Sequence, residues 1–283
     1  MSTLEARFPG KRILITGSTT GLGEALAHAL AGRGWQIAVS AREQEEVERT
    51  VAAVNQRGGK GLGLILDVCD KAHWAAARDT LNLEWGGIDI LVNNAGIADA
   101  NPMINMSDAD WERMLAINLK GVIDGCRTFV PDFVRQNSGY LLNVSSVAGL
   151  LALPEMSNYN VSKAGVIALS ETLRAELCGA NIGVTVLCPS GFRSSLAHNA
   201  AKEGRELDKA GPVARLVKKD IEQGSHTSES VAAHVLKDME KGRLYSVPMP
   251  LYRLAWFLKR LAPNTFYSTI GWAYRNKLGP FAN

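Results

Sequence analysis

The sequence lacks the features that mark several classes of protein. Its cysteines form no Cys-x-x-Cys pair, so we expect reduced core residues rather than metal ligands or disulfides at Cys69, Cys126, Cys178 and Cys188. No metal site is expected. Lysine and arginine number 31 against 28 aspartates and glutamates, a surplus too small to indicate nucleic acid as a partner.

Long apolar runs are also missing. No stretch of about 20 uncharged apolar residues occurs, and no charged segment followed by an apolar one opens the sequence, so we expect neither a membrane span nor a signal peptide. These absences predict a cytoplasmic protein. With 283 residues, 46% hydrophobic and 21% charged, the chain has the composition of one large globular domain or two small ones.

Short apolar runs alternate with helical patterns from Lys11 to about Val186. The runs predict strands at Arg12–Thr16, Gln36–Ser40, Gly63–Leu66, Ile88–Asn93, Tyr140–Val144 and Gly183–Leu187. The patterns between them predict helices at Gly23–Ala31, Glu43–Gln56, Lys71–Leu83, Asp108–Val134 and Asn158–Cys178. Such alternation predicts an α/β fold with a doubly wound parallel sheet flanked by helices. We expect one domain at 1–244, with a substrate-loop region at about 190–224, and a C-terminal helical extension at 245–283.

A glycine-rich turn joins the first strand to the first helix. Gly17, Gly21 and Gly23 let the backbone turn tightly and approach a pyrophosphate at the helix N-terminus. Their spacing, G-x-x-x-G-x-G, differs from the commoner G-x-G-x-x-G. A merely structural turn is the alternative, but three glycines at a first βα turn favour dinucleotide binding.

Polar residues follow two later strands. Asp67 and Val68 come after the third strand, where a carboxylate and an amide could reach an adenine; a helix N-cap is an equally good interpretation of Asp67. Asn94, Ala95 and Gly96 follow the fourth strand, at the sheet edge where ligands bind in such folds. A simple turn is the alternative for this second segment.

Tyr159 and Lys163 are four residues apart in a segment with helical pattern, downstream of Ser146. Residues at this spacing share a helix face, and an ammonium beside a phenol lowers its pKa, so that the tyrosine could exchange a proton near neutral pH. An amphipathic helix with a snorkelling lysine is the alternative. Asn118 lies inside an apolar helical pattern, where a polar residue marks either a kink or a site.

Together these segments resemble the classical short-chain dehydrogenase/reductase family. The motifs TGSTTGLG, NNAG, Asn118, NVSSVAG, YNVSK and Pro189-Ser-Gly191 have that family's order and spacing, and the likeness covers roughly residues 9 to 196. The resemblance implies a Rossmann-type sheet and an NAD(P)(H)-dependent oxidoreductase that interconverts a secondary alcohol and a ketone, or an aldehyde. A catalytically silent dinucleotide-binding regulator or scaffold of the same fold is the alternative.

The resemblance also implies residue roles. Ser146 would orient the substrate oxygen, Tyr159 would transfer the proton, and Lys163 would hold the nicotinamide ribose and lower the pKa of the tyrosine. Asn118 would anchor a water in a proton relay. The implied cofactor contacts are Gly17, Ser18, Thr19, Thr20, Gly21, Leu22, Gly23, Arg42, Asp67, Val68, Asn94, Ala95, Gly96, Tyr159, Lys163, Pro189, Gly191 and Ser194.

The residues after the second strand favour NADP(H) over the alternative, NAD(H). Ala41 stands where NAD-dependent members carry an aspartate, and the Arg42 guanidinium can donate two parallel hydrogen bonds to a 2′-phosphate. The family's second basic residue is absent, because that position is Thr20. An exposed Arg42 that pairs with a glutamate of the following helix is the alternative. In the later segment Ser194 replaces the family's threonine and Gly191 is displaced by one position.

The resemblance further predicts a homodimer or homotetramer assembled through the helices at Asp108–Val134 and Asn158–Cys178. Trp111, Met114, Phe129 and Phe133 would supply the apolar surface, unless they only cover the sheet.

The extension at 245–283 has an unusual composition. From Lys241 onward there is no acidic residue against seven lysines and arginines, and nine of the chain's nineteen aromatics lie there. We expect two helices separated at Pro263. Three roles are open for these helices: they cap the substrate pocket, they pack on the protein or a subunit, or they make peripheral contact with a membrane. The sequence does not decide among these roles. So much apolar surface favours a hydrophobic, lipid-like or steroid-like substrate.

Overall fold

Seven parallel strands form one sheet in the computed structural model, which describes residues 3–193 and 211–282. They are β1 Arg12–Thr16, β2 Gln36–Ala41, β3 Lys60–Ile65, β4 Ile90–Asn93, β5 Gly139–Val144, β6 Ile182–Leu187 and β7 Tyr245–Ser246. Their order across the sheet is β3-β2-β1-β4-β5-β6-β7. The order reverses between β1 and β4, so the carboxyl ends of these two strands flank the crevice in which such sheets bind ligands.

The described helices cover both faces of the sheet. They are α1 Leu4–Arg7, α2 Gly21–Ala31, α3 Gln44–Gln56, α4 Lys71–Trp85, α5 Asp108–Leu115, α6 Gly121–Arg135, α7 Val147–Leu151, α8 Ser157–Glu176, α9 Pro212–Gln223, α10 Ser228–Glu240, α11 Pro250–Leu261 and α12 Pro263–Arg275. Every residue of β4, β5 and β6 is buried, as expected for strands enclosed on both sides.

All six expected strands and all five expected helices are present, with ends that differ by a few residues. The strand β7 was not expected. It consists of two residues paired with Val186 and Leu187, too few to show a pattern, and it lies at the start of the segment assigned to the extension. The extension's own helices begin at Pro250.

Two expectations about apolar residues are wrong in part. Cys126 and Cys188 are buried, but Cys69 and Cys178 are exposed. Met114, Phe129 and Phe133 are buried within the chain, and the two phenylalanines pack in a core cluster with residues of the sheet. These three side chains therefore supply no surface for a partner subunit.

The two helices of the extension lie against the domain along one side only, and neither contains a fully buried residue. Tyr252, Ala255, Trp256 and Phe266 pack on the main core. Across the part of the chain that the structure describes, no helix has the length and hydropathy required to cross a bilayer.

Candidate active site

The glycine-rich turn between β1 and α2 has the backbone that its sequence predicts. Gly17 and Gly21 adopt φ values of 61° and 58°, a left-handed conformation that favours glycine. At Gly23 a Cβ would lie 2.3 Å from the Gly17 carbonyl oxygen. The turn is thus a tight cradle at a helix N-terminus, the kind of position at which a pyrophosphate binds.

Side chains of the turn fasten it to its neighbours. The Ser18 hydroxyl accepts a hydrogen bond of 2.9 Å from the Ser40 amide on β2. The Thr19 hydroxyl donates to Glu46 of α3 at 3.1 Å, and the Thr19 carbonyl accepts from the Arg49 guanidinium at 2.7 Å. Leu22 is buried, and Thr20 is the N-cap residue of α2. The side chains of Ser18 and Thr19 therefore fix the shape of the cradle.

Asn94 joins the turn to the end of β4. Its Nδ2 donates to the carbonyl oxygens of Thr16 at 2.8 Å and Gly17 at 2.9 Å. The Thr16 hydroxyl in turn accepts from the amides of Asn94 and Ala95. The NNAG segment is thus a brace that sets the distance between the glycine turn and the fourth strand, and it is more than a simple turn.

Asp67 and Val68 lie at the carboxyl end of the sheet, after β3. Asp67 accepts from the Cys69 amide at 2.9 Å, and the residue that caps α4 is Asp70. The alternative of a helix N-cap at Asp67 is therefore wrong. The Val68 carbonyl accepts from the Trp74 indole at 3.0 Å, which fixes the loop beside the crevice.

Lys163 lies on α8 and points to the end of β5. Its Nζ donates to the Val144 carbonyl at 3.0 Å, and its side chain is buried enough to lower its pKa to about 8. A Cβ on Gly96 would lie 3.4 Å from this Nζ and 3.1 Å from Asn118 Oδ1. Lysine, asparagine and the NNAG segment therefore meet at one point.

Tyr159 is one helical turn before Lys163, and the ammonium lies 5.8 Å from the centre of its ring. Burial raises the pKa of Tyr159, while a hydrogen bond with the Ser146 side chain lowers it. The expected net lowering of this pKa by Lys163 is not found. Burial dominates, and it acts on the lysine as well as on the phenol.

Ser146 begins α7 as its N-cap, and its hydroxyl accepts from the Ala148 amide at 3.1 Å. The same hydroxyl donates to the Pro189 carbonyl at 3.4 Å, so Ser146 and Pro189 adjoin at the ends of β5 and β6. The neighbouring Ser145 is turned inward and donates to the Lys163 carbonyl at 2.7 Å. Only Ser146 of the two serines is directed to the tyrosine.

Asn118 lies in a π-helical turn, Ala116–Lys120, that interrupts the helical run between α5 and α6. Its Oδ1 accepts from the Ile97 amide and its Nδ2 donates to the Ile97 carbonyl, both at 2.8 Å. Sequence position left open whether this residue marks a kink or a site. The structure shows an irregular helical turn at this residue, of a kind often found at functional sites, and places it beside Lys163; its role in a site stays a prediction.

The extension contributes a wall beside Tyr159 that the motifs alone do not predict. The tyrosine packs in an apolar cluster with residues from the loop before α8, from α9 and from the extension. Its members include Ala100, Leu153, Met156, Val213, Ile270, Ala273, Tyr274 and Phe281. Of the uses considered for the extension, packing on the protein beside the site is therefore observed.

Glu155 ties this wall together, and sequence reasoning missed it. Its carboxylate accepts from the Tyr274 hydroxyl at 2.8 Å and from the Val213 amide at 3.0 Å. Its carbonyl accepts from the Asn101 amide at 2.6 Å. One nearly buried acid thus links three segments around the tyrosine, and the only available sequence signal was its place just before YNVSK.

The remaining expected cofactor contacts are spread along the same edge of the sheet. Arg42 is exposed directly after β2, and Gly191 is half-buried shortly after β6. Ser194 lies outside the described residues. No group of three or more potential metal-ligating side chains occurs within residues 3–193 and 211–282.

Comparison with known proteins agrees with this geometry. A family model described as short chain dehydrogenase matches residues 11–205. The chain is 31% identical over 260 residues to the probable oxidoreductase EphD of Mycobacterium tuberculosis, which covers 91% of this chain and 44% of EphD. It is 36% identical over 195 residues to 3beta-hydroxysteroid dehydrogenase 1 of Eggerthella lenta, with 68% and 74% of the two chains covered.

Among solved structures, a short chain dehydrogenase/reductase from Burkholderia phymatum in complex with NAD superposes with a TM-score of 0.84 at 28% identity, covering 92% of this chain and 96% of that one. The chain belongs to the short-chain dehydrogenase family, a family of oxidoreductases. It spans less than half the length of EphD.

Proposed function

We propose that this protein is an NAD(P)(H)-dependent oxidoreductase that interconverts a secondary alcohol and a ketone, with Tyr159 as the acid and base. The observation that carries the proposal is the convergence of Tyr159, Lys163, Ser146 and Asn118 on the sheet edge beside a glycine cradle. A silent dinucleotide-binding regulator would not require these four side chains to adjoin.

A bound nicotinamide supplies the hydride chemistry, and the chain's own residues handle the oxygen and the proton. Ser146 orients the substrate oxygen toward the phenol. In carbonyl reduction Tyr159 would give its proton to that oxygen. A raised pKa keeps Tyr159 protonated at neutral pH, which suits its role as a proton donor in carbonyl reduction. With a cofactor bound, Lys163 would hold its ribose. Asn118 ties the loop at Ile97 to the π-helical turn, which would position the proposed proton relay.

Replacement of Tyr159 by phenylalanine tests the assignment. Acid–base catalysis contributes about 10²–10⁴-fold to a rate, so Tyr159→Phe should lose that factor in turnover while it still binds cofactor. Nicotinamide absorbance with a panel of ketones and alcohols measures turnover, and fluorescence titration measures binding. Tyr267→Phe, on the extension, is the matched control. Cofactor binding by the wild type without turnover on any substrate would favour the silent regulator.

A preference for NADP(H) is the second part of the proposal. Arg42 is exposed at the end of β2, and Arg49 reaches the glycine turn by its bond to Thr19, which adds a cation that the sequence motif did not include. Both would favour a 2′-phosphate. The Glu46 carboxylate accepts a hydrogen bond from Thr19, and its negative charge would disfavour a 2′-phosphate. The similar Burkholderia protein was solved with NAD.

Two substitutions with opposite expected effects test the preference. Arg42→Ala should weaken NADPH binding by about tenfold, the value of one good charge-assisted contact, and should leave NADH binding nearly unchanged. Glu46→Gln should strengthen NADPH binding by removing a repelling charge. Titration of both cofactors against each variant gives the ratios. Equal affinity of the wild type for the two cofactors would refute the preference.

We further propose an apolar substrate. The support is the apolar cluster of the extension beside Tyr159 and the similarity to a hydroxysteroid dehydrogenase. Catalytic efficiency should rise with apolar size across ketones that share one reacting group. A panel in which small polar ketones are the best substrates would contradict this.

We also propose a homodimer or homotetramer, as the family resemblance implies. The surface would consist of the outer sides of α6 and α8, where Val134 and Val161 are exposed, and not of the buried residues expected from the sequence. Light scattering at micromolar concentration tests this, and a monomer would refute it.

A further inference from the structure

Helix α11 has two apolar sides. Its inner side, with Tyr252, Ala255 and Trp256, packs on the main core. Its outer side carries five exposed apolar residues, namely Leu251, Leu254, Phe257, Leu258 and Leu261. Four of these follow the spacing i, i+3, i+7, i+10 and so form one stripe along the helix. This stripe, with Phe257, is called the outer stripe.

The inner contacts fix which way the outer stripe faces. Trp256 packs on Tyr245 with ring centres 4.7 Å apart, and Arg253 Nε donates to the Val247 carbonyl at 2.8 Å. Lys259 donates to the Leu150 carbonyl at the end of α7. Because these bonds and rings hold α11 from one side, the helix cannot rotate to bury the outer stripe without losing them.

The charged residues of the extension itself have one sign. No aspartate or glutamate occurs from Lys241 to Asn283. Arg253 and Arg260 are exposed, and Arg260 lies over the Trp256 ring at 5.4 Å. On α12, Trp272 is exposed by 57%. Apolar side chains, basic residues and an exposed indole are the combination found in helices that lie at a lipid interface.

We propose that the outer stripe docks on an anionic lipid surface, with α11 parallel to the membrane plane. Leucine and phenylalanine side chains would enter the acyl boundary, while the exposed Arg260 would contact anionic headgroups. This orientation agrees with the absence of a helix able to span the bilayer among the described residues.

The charge also distinguishes lipid from the other simple occupant, a second copy of this chain. A twofold contact of the outer stripe with itself would bring the basic flanks of two extensions together, and neither extension has an acid to offset them. Like charges at an interface oppose association. An anionic surface meets the same flank with opposite charge.

Vesicle flotation with the full chain tests the proposal. The probes are vesicles of phosphatidylcholine mixed with phosphatidylglycerol, and vesicles of phosphatidylcholine alone. We expect binding to the mixed vesicles only, weakened by salt. Leu254→Ser combined with Phe257→Ser should reduce binding by about tenfold or more, because interfacial affinity scales with buried apolar area. Both residues are more than half exposed, so the fold should be kept, which circular dichroism checks.

Leu83→Ser is the control, since Leu83 is an exposed leucine on α4 with 84% of its surface accessible. It should bind vesicles as the wild type does. Wild-type chain that fails to float, or a double variant that floats as well as the wild type, overturns the proposal. The proposal is also overturned if the wild type does not bind vesicles and the double variant differs from it in oligomeric state by light scattering. The outer stripe would then be a contact with a second copy of this chain. None of these outcomes depends on catalysis.

Discussion

Replacement of Lys163 by methionine should make the protein more stable at neutral pH while it removes a residue of the proposed site. The side chain is 4% exposed, and its Nζ donates a hydrogen bond to the Val144 carbonyl. Burial lowers its pKa to about 8, so the native state holds an ammonium at neutral pH against the cost of desolvation. Methionine has nearly the same shape and carries no charge.

The magnitude follows from proton linkage. The pKa falls from 10.5 to about 8 on folding, and a tenfold change in proton affinity corresponds to about 1.4 kcal/mol. For a base with a lowered native pKa, the cost is fully present below the native value and disappears as pH rises toward the unfolded value. The ionised lysine therefore costs about 3 kcal/mol near pH 7 and below about 1 kcal/mol near pH 10. Loss of the Val144 hydrogen bond offsets about 1 kcal/mol.

Urea unfolding of wild type and Lys163→Met at the two pH values measures the effect. The variant should be about 2 kcal/mol more stable near pH 7 and about equal to the wild type near pH 10. Because the same other groups titrate in both chains, the change in this difference with pH isolates Lys163. Lys71→Met, which replaces an exposed lysine, should show no such change.

A stability difference between wild type and Lys163→Met that is the same at both pH values would refute the reasoning. It would mean that the pKa of Lys163 is the same in the native and unfolded states, so that burial imposes no cost on its charge. A variant that is less stable near pH 7 would show instead that the hydrogen bond to Val144 outweighs the cost of burying the charge.

Three further substitutions or probes have definite expected outcomes. Gly23→Ala should weaken NADPH binding by at least about tenfold in titration, since its Cβ would lie 2.3 Å from the Gly17 carbonyl oxygen and the cradle must shift; wild-type affinity would contradict this. Phe281→Ala should lower the free energy of unfolding by about 3 kcal/mol in urea, because the ring is 2% exposed; a loss below about 1 kcal/mol would show that the extension frays. Burial raises the pKa of Cys126 and of Cys188 to about 12, so a maleimide should label both only after unfolding. Mass spectrometry of native protein treated with the maleimide should find both thiols unlabelled.

The fold was predictable because its strands are continuous apolar runs and its helices are long. The strand β7 was not, because its two residues join the sheet through main-chain bonds on either side. The Val186 amide donates to the Leu244 carbonyl at 2.7 Å and the Cys188 amide to the Ser246 carbonyl at 2.8 Å. Neither bond depends on side-chain type, so the local sequence shows no pattern that would predict them.

The candidate site was predictable where a motif places its members close in sequence. The proton affinity of Tyr159 was not, because burial is set by the whole surroundings and outweighs the nearby ammonium. Glu155 was missed for a related reason. Its partners Val213 and Tyr274 are 58 and 119 residues away in the sequence, and such separations leave no spacing to detect.

The π-turn at Ala116–Lys120 has a consequence for how the chain tolerates insertions and deletions. Met114, Asn118, Val122 and Cys126 are buried at intervals of four, although four residues overshoot an α-helical turn by about 40°. The wider turn takes up part of that excess, so both halves of the helical run keep their phase against the sheet. A one-residue deletion in the regular part of α6 before Phe129 would rotate Phe129 and Phe133 by about 100° about the helix axis. Point substitutions at exposed positions of this run should leave the fold intact, whereas a change in the length of α6 should prevent its apolar side chains from packing on the sheet.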